Sequence, residues 1–148
     1  MKTFLITTTT AALLATSVVA GGTPGAGFIT SWDDDASGAV SLAEVTEKRE
    51  NVFYTFDENG DGVLSAEDYV AFDEARAADQ ANKGGNGGGG NGGAGRVKPS
   101  VGMTLEFNDV DGNGEVSFAE FMGQTEAWFA ILDRNGDGEV TTADFGGQ

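Results

Sequence analysis

Apolar residues fall into short repeated phrases along the chain, separated by acidic, glycine-containing turns. Between residues 45 and 56, Val45, Val52, Phe53 and Phe56 recur at helical spacing, and Phe121, Trp128, Phe129 and Leu132 do the same between 121 and 132. Residues three, four and seven apart share one helix face, so each stretch predicts a helix with a single buried stripe. Tyr69 to Ala81 reads as a longer helix, and Leu105 and Phe107 anchor a segment entering the turn at residue 109. Pro24 and Pro99 stand near the start of two halves, where proline suits the first turn of a helix. Inside the acidic turns, Val40, Leu64, Val116 and Val140 occupy equivalent places. Apolar residues there suit short strands that pair between turns. The expected fold class is all-α.

The pattern is duplicated. Acidic 12-residue stretches begin at Asp33, Asp57, Asp109 and Asp133, and an offset of 76 carries the first two onto the last two. The same offset carries Val52, Phe53 and Phe56 onto Trp128, Phe129 and Leu132, so a unit of roughly fifty residues occurs twice. From Gly84 to Gly95, nine of twelve residues are glycine, a flexible linker that buries no apolar area. The expected organisation is a signal peptide at 1–20, one pair of turns in 21–82, the linker at 83–96 and a second pair in 97–148. Only residues 45–56 or 121–132 separate the two turns of a half, enough for about three turns of one helix. Each half therefore shares a single helix, with its two turns at opposite ends. Turns so placed cannot pair with each other. The expected pairing is the second with the third and the first with the fourth, the alternative being the first with the third and the second with the fourth.

Composition narrows the chemistry. The 148 residues include 24 Asp and Glu against 8 Lys and Arg, a net charge of −16, with no Cys and no His. This excludes disulfides, thiolate metal sites and His-dependent catalytic pairs. It also argues against nucleic acid, since phosphates meet repulsion from the whole surface. No enzyme is expected. Met1-Lys2, the uncharged run Phe4 to Val19 and the small residues before residue 21 read as a secretory signal, too short and Thr-rich for a membrane span. The mature chain, having lost Lys2, carries −17 and is expected in the periplasm or outside the cell, as a monomer.

The four acidic stretches offer hard oxygens at a spacing that converges on one centre, as Ca²⁺ with its six to eight ligands requires. In loop one these are Asp33, Asp35, Ser37, the Ala39 carbonyl, Ser41 and Glu44. Loop two offers Asp57, Asn59, Asp61, the Val63 carbonyl, Ser65 and Asp68. Loop three has Asp109, Asp111, Asn113, the Glu115 carbonyl, Ser117 and Glu120, and loop four Asp133, Asn135, Asp137, the Glu139 carbonyl, Thr141 and Asp144. Gly38, Gly62, Gly114 and Gly138 supply the positive φ needed at position 6. Twelve of the 24 acids stand at positions 1, 3, 5 and 12, so few carboxylates remain for anything else. At position 12 Glu44 and Glu120 can bind an ion through both oxygens, whereas Asp68 and Asp144 are a methylene shorter, favouring Mg²⁺ or weaker Ca²⁺ binding. Up to four Ca²⁺ are expected. Loop three ranks tightest, with Asn108 as its flaw where the other loops are entered from Trp32, Phe56 and Leu132. Loop four ranks weakest, because almost no helix follows Asp144 to hold it.

Each stretch resembles an EF-hand calcium loop, and the close spacing is similar to that of secreted bacterial EF-hand proteins, the lanmodulin type among them. Lanmodulin-type loops carry Pro at position 2 and an acid at position 9. Here position 2 is Asp34, Glu58, Val110 or Arg134, and position 9 is Ser or Thr. The resemblance implies the fold and a metal-binding role. The expected function is a secreted Ca²⁺ buffer, or a sensor that engages a protein partner in its Ca²⁺ form. The alternative is a lanthanide-binding protein.

Overall fold

The computed structural model describes residues 23–82 and 98–146, so the expected signal peptide and Gly-rich linker lie outside the described residues. The first segment runs α1 (Ala26–Trp32), β1 (Val40–Ser41), α2 (Leu42–Phe56), β2 (Val63–Leu64) and α3 (Ala66–Asn82). The second begins with a 3₁₀ turn at Pro99–Met103, which has proline in its first turn, and continues with α4 (Leu105–Asn108) and β3 (Val116–Ser117). It ends with α5 (Phe118–Gly123), α6 (Thr125–Leu132), β4 (Glu139–Val140) and α7 (Thr142–Phe145).

The strands pair across the duplication. β1 lies antiparallel to β4 with Val40 opposite Val140, and β2 lies antiparallel to β3 with Leu64 opposite Val116. Loop one therefore meets loop four, and loop two meets loop three, the expected one of the two cross-half pairings that the shared-helix argument allows. Val40, Leu64, Val116 and Val140 are fully buried. Each strand runs directly into a helix whose start is capped by its own loop. Ser41 with Glu44, Ser117 with Glu120 and Thr141 with Asp144 form reciprocal capping boxes.

α2 joins loops one and two as one uninterrupted helix. The second half departs from that expectation: its connection is split at Gln124 into α5 and α6. Gly123 and Thr125 are both poor helix formers, so the break falls where propensity is lowest. Helical hydrogen bonding resumes at once, with the Trp128 N–H bonded to the Gln124 carbonyl at 2.9 Å.

α2 packs against α5 and α6, so both segments contribute to one core. Phe53, Phe121, Trp128 and Leu132 are completely buried in it. The Trp128 ring meets Trp32 edge-on at 5.0 Å and Phe28 at 6.2 Å, and Phe28 reaches Phe145 of α7 at 5.5 Å. The indole N–H donates to the Pro99 carbonyl at 3.0 Å. Gly102 lies so close to this ring that a Cβ there would stand 2.2 Å from it, so the 3₁₀ turn can approach only without a side chain.

Candidate metal centres

Each acidic loop is wound around its first aspartate. One carboxylate oxygen of Asp33, Asp57, Asp109 and Asp133 accepts the N–H of the position-6 glycine at 2.9–3.0 Å. The other accepts the N–H of position 5 at 3.1–3.2 Å. The side chains of Asp35, Asn59, Asp111 and Asn135 accept that same position-5 N–H. These local bonds let Asp and Asn hold a tight turn without other support. Position 4 is also left-handed, and there loop one departs from the rest: it has Ala36 at φ 59°, where the others have Gly60, Gly112 and Gly136. A side chain in that conformation costs about 1–2 kcal/mol.

Position 12 closes each loop. One oxygen of Glu44 accepts the Asp34 N–H at 2.9 Å, and the other accepts the Ser41 N–H and hydroxyl at 2.8 Å. Glu120 repeats this with Val110 at 3.2 Å and with the Ser117 N–H and hydroxyl at 2.9 and 2.7 Å. In loops one and three this brings carboxylate oxygens of Asp33, Asp35 and Glu44, and of Asp109, Asp111 and Glu120, within 4.8 Å of one another. Such all-oxygen sets suit a hard divalent cation. Among the described residues only these two triads of acids converge so closely. In loops two and four position 3 is neutral, and the Asn59 and Asn135 amides donate to Asp61 and Asp137 at 2.9 and 2.7 Å.

Asp144 corrects an expectation. Although α7 has only four residues, Asp144 is 2% exposed and spans loop four. It accepts from the Arg134 and Asn135 N–H groups at 3.0 and 3.3 Å and from the Thr141 N–H at 2.8 Å. The Arg134 guanidinium then donates to the Asp144 and Gly146 carbonyls, tying down the end of the short helix. Asp68 in loop two bonds Ser65, through its N–H at 2.8 Å and its hydroxyl at 2.7 Å. Loop four thus closes well despite its short acid, through its own backbone rather than through a following helix.

These bonds favour the ionised carboxylates. Glu44 is held below its ordinary 4.5 chiefly by the Ser41 N–H, and Glu120 likewise by the Ser117 N–H and hydroxyl. For Asp144 burial pushes the value up, but the N–H groups of Thr141, Asn135 and Arg134 together bring it below 3.8. A folded value below the unfolded one contributes stability that is complete above the ordinary value and lost as pH falls through the lowered one. In a carboxyl-carbon NMR titration of the Ca²⁺-free chain, Glu44 and Glu120 are expected to titrate below 4.5. Midpoints at or above that value would contradict the closing bonds described here.

Arg49 and Asn108 have roles that the apolar pattern missed. Arg49 sits in the stripe of Val45 and Phe53 and is fully buried. Burial pushes its guanidinium down to about 10, so it is still a cation at neutral pH. Asn108, expected to be a flaw, is also fully buried. It accepts from Arg49 at 2.7 Å and donates to the Gly102 and Thr104 carbonyls at 3.1 and 2.7 Å. The available signal was a lone arginine four residues from both Val45 and Phe53, inside a helix stripe that is otherwise apolar.

Comparison with known families bears directly on the loops. A family model described as EF hand matches residues 49–73 and 125–146. The matches support an EF-hand calcium-binding protein. They span loops two and four, whereas the converging acid triads lie in loops one and three. Together, matches and triads support Ca²⁺ binding at about two sites. The comparison with curated proteins found no match. Among the described residues no helix is long and apolar enough to cross a membrane.

Proposed function

We propose that this chain is a secreted Ca²⁺-binding EF-hand protein that takes an ion in each of its four loops, as a buffer or as a Ca²⁺-dependent interaction module. The observation that carries the reading is the common winding of the four loops. Each first aspartate accepts from the position-6 glycine, and each position-12 acid folds back onto position 9. The residues that would hold the ion are the side chains at positions 1, 3, 5 and 12 with the position-7 carbonyl. Bound Ca²⁺ would supply charge neutralisation and order rather than chemistry. The signal-like N-terminus supports secretion, where Ca²⁺ is abundant enough for weak extracellular-type sites.

A Ca²⁺ titration comparing the mature chain with Glu44→Gln and Glu120→Gln tests the reading. Each substitution keeps the shape of the side chain but removes its charge, and together they are expected to remove the tightest phase. An unchanged titration would contradict the assignment. Near-UV circular dichroism and binding of an apolar dye then separate the two roles: a sensor exposes apolar surface on loading and a buffer does not. The single helix shared by loops one and two also keeps the lanthanide reading in view. It predicts that Tb³⁺, sensitised by Trp32 beside Asp33, resists displacement by excess Ca²⁺.

A further inference from the structure

Burying a guanidinium costs several kcal/mol unless its donors are well placed, and among the described residues no carboxylate lies in ion-pair range of Arg49. What the guanidinium grips is specific. Nη2 donates to the Asn108 side-chain oxygen at 2.7 Å and also to the Phe121 carbonyl, while Nη1 donates to the Gly102 carbonyl at 2.6 Å. Its central carbon Cζ lies over the Phe121 ring, 4.0 Å from the centroid, and 5.2 Å from the Trp128 ring centroid. Asn108 immediately precedes Asp109, the first acid of loop three. Phe121 immediately follows Glu120, the last. A single nitrogen on α2 therefore ties together the two ends of a loop in the other half of the duplication.

This arrangement occurs at one loop of the four. The residues preceding loops one, two and four are Trp32, Phe56 and Leu132, none of which offers a side-chain acceptor. The duplication's counterpart of Arg49 is Thr125, which is buried but short and uncharged. We propose that Arg49 is the positioning residue of loop three: from outside the loop it fixes the separation of the loop's ends, holding Asp109 and Glu120 together for a divalent cation. The inference rests on the reading that loop three takes Ca²⁺. Without the clamp, binding would have to supply the cost of bringing those ends together, which a preorganised site has already met.

The experiment is a Ca²⁺ titration of the mature chain labelled with ¹⁵N. It follows the Gly38 and Gly114 amides, which bond Asp33 and Asp109 at 2.9 Å and so report loops one and three separately. The variants are Arg49→Met and the double variant Arg49→Met, Asn108→Leu. The double variant removes both buried polar partners at once, so the fold is spared an orphaned amide. In both, the loop-three midpoint is expected to weaken about tenfold or more relative to loop one. A merely structural arginine would lower the melting temperature and leave that ratio alone. An unchanged ratio in a folded double variant overturns the proposal. So does failure of the double variant to fold at saturating Ca²⁺, since the pair would then serve the fold rather than the loop. If the unsubstituted chain shows no response at Gly114, the calcium reading of loop three is what fails.

Discussion

Calcium is expected to raise the melting temperature of the chelator-treated chain by about 20 °C or more. The chain carries a net charge of −16, and the acids at the proposed ligand positions are crowded within each loop. That repulsion opposes the compact state until cations neutralise it. An ion that binds only the folded chain stabilises it by about 2.7 kcal/mol at a hundredfold excess over its dissociation constant. Two such sites give about 5 kcal/mol, and each kcal/mol moves the midpoint of a small domain by about 4–8 °C. Far-UV circular dichroism in chelator and then in millimolar Ca²⁺ measures this directly. A midpoint indifferent to Ca²⁺ would remove the metal from the account of how this fold is held.

Trp128→Ala is expected to leave the Ca²⁺-free chain largely unfolded. Trp128 is fully buried, contacts Trp32 and Phe28 edge-on, stands beside the Arg49 guanidinium and bonds the Pro99 carbonyl. Removing so large a core side chain costs about 3–5 kcal/mol, against a total stability of about 5–15 kcal/mol for an ordinary domain. Self-repulsion in a chain this acidic is expected to place its cation-free form toward the lower end of that range. Trp128→Phe keeps most of the ring contacts and is expected to cost less. Urea midpoints, with and without Ca²⁺, give both numbers. A loss below about 1 kcal/mol for the alanine variant would show that the aromatic cluster is not what joins the segments.

The loops were legible because their determinants are local and periodic, and the same pattern narrowed their pairing to two cross-half arrangements. The position-8 residues Val40, Leu64, Val116 and Val140 announce paired strands. A twelve-residue gap is too short for an exiting helix, a turn and an entering helix. It holds the two loops of a half apart and leaves them cross-half partners, even where the connection splits at Gln124. The buried stripe of α2 was equally readable from Val45 and Phe53. What the pattern missed depends on partners far away in sequence. Asn108 looks like a defect until Arg49, 59 residues earlier, is brought to its side by the packing of α2. Asp144 looks unsupported if a following helix is taken as the only means of holding it. Its actual partners are the N–H groups of Arg134 and Asn135, which only the closed loop brings within reach. The split at Gln124 turned on the low helix propensity of its neighbours, a margin too small to decide against the apolar periodicity running through it.

Counting ions decides whether calcium fills all four loops, as proposed. Flow dialysis of radioactive Ca²⁺ against the chelator-treated chain, carried to millimolar free Ca²⁺, is expected to level off at four ions per chain. A plateau short of four would contradict it.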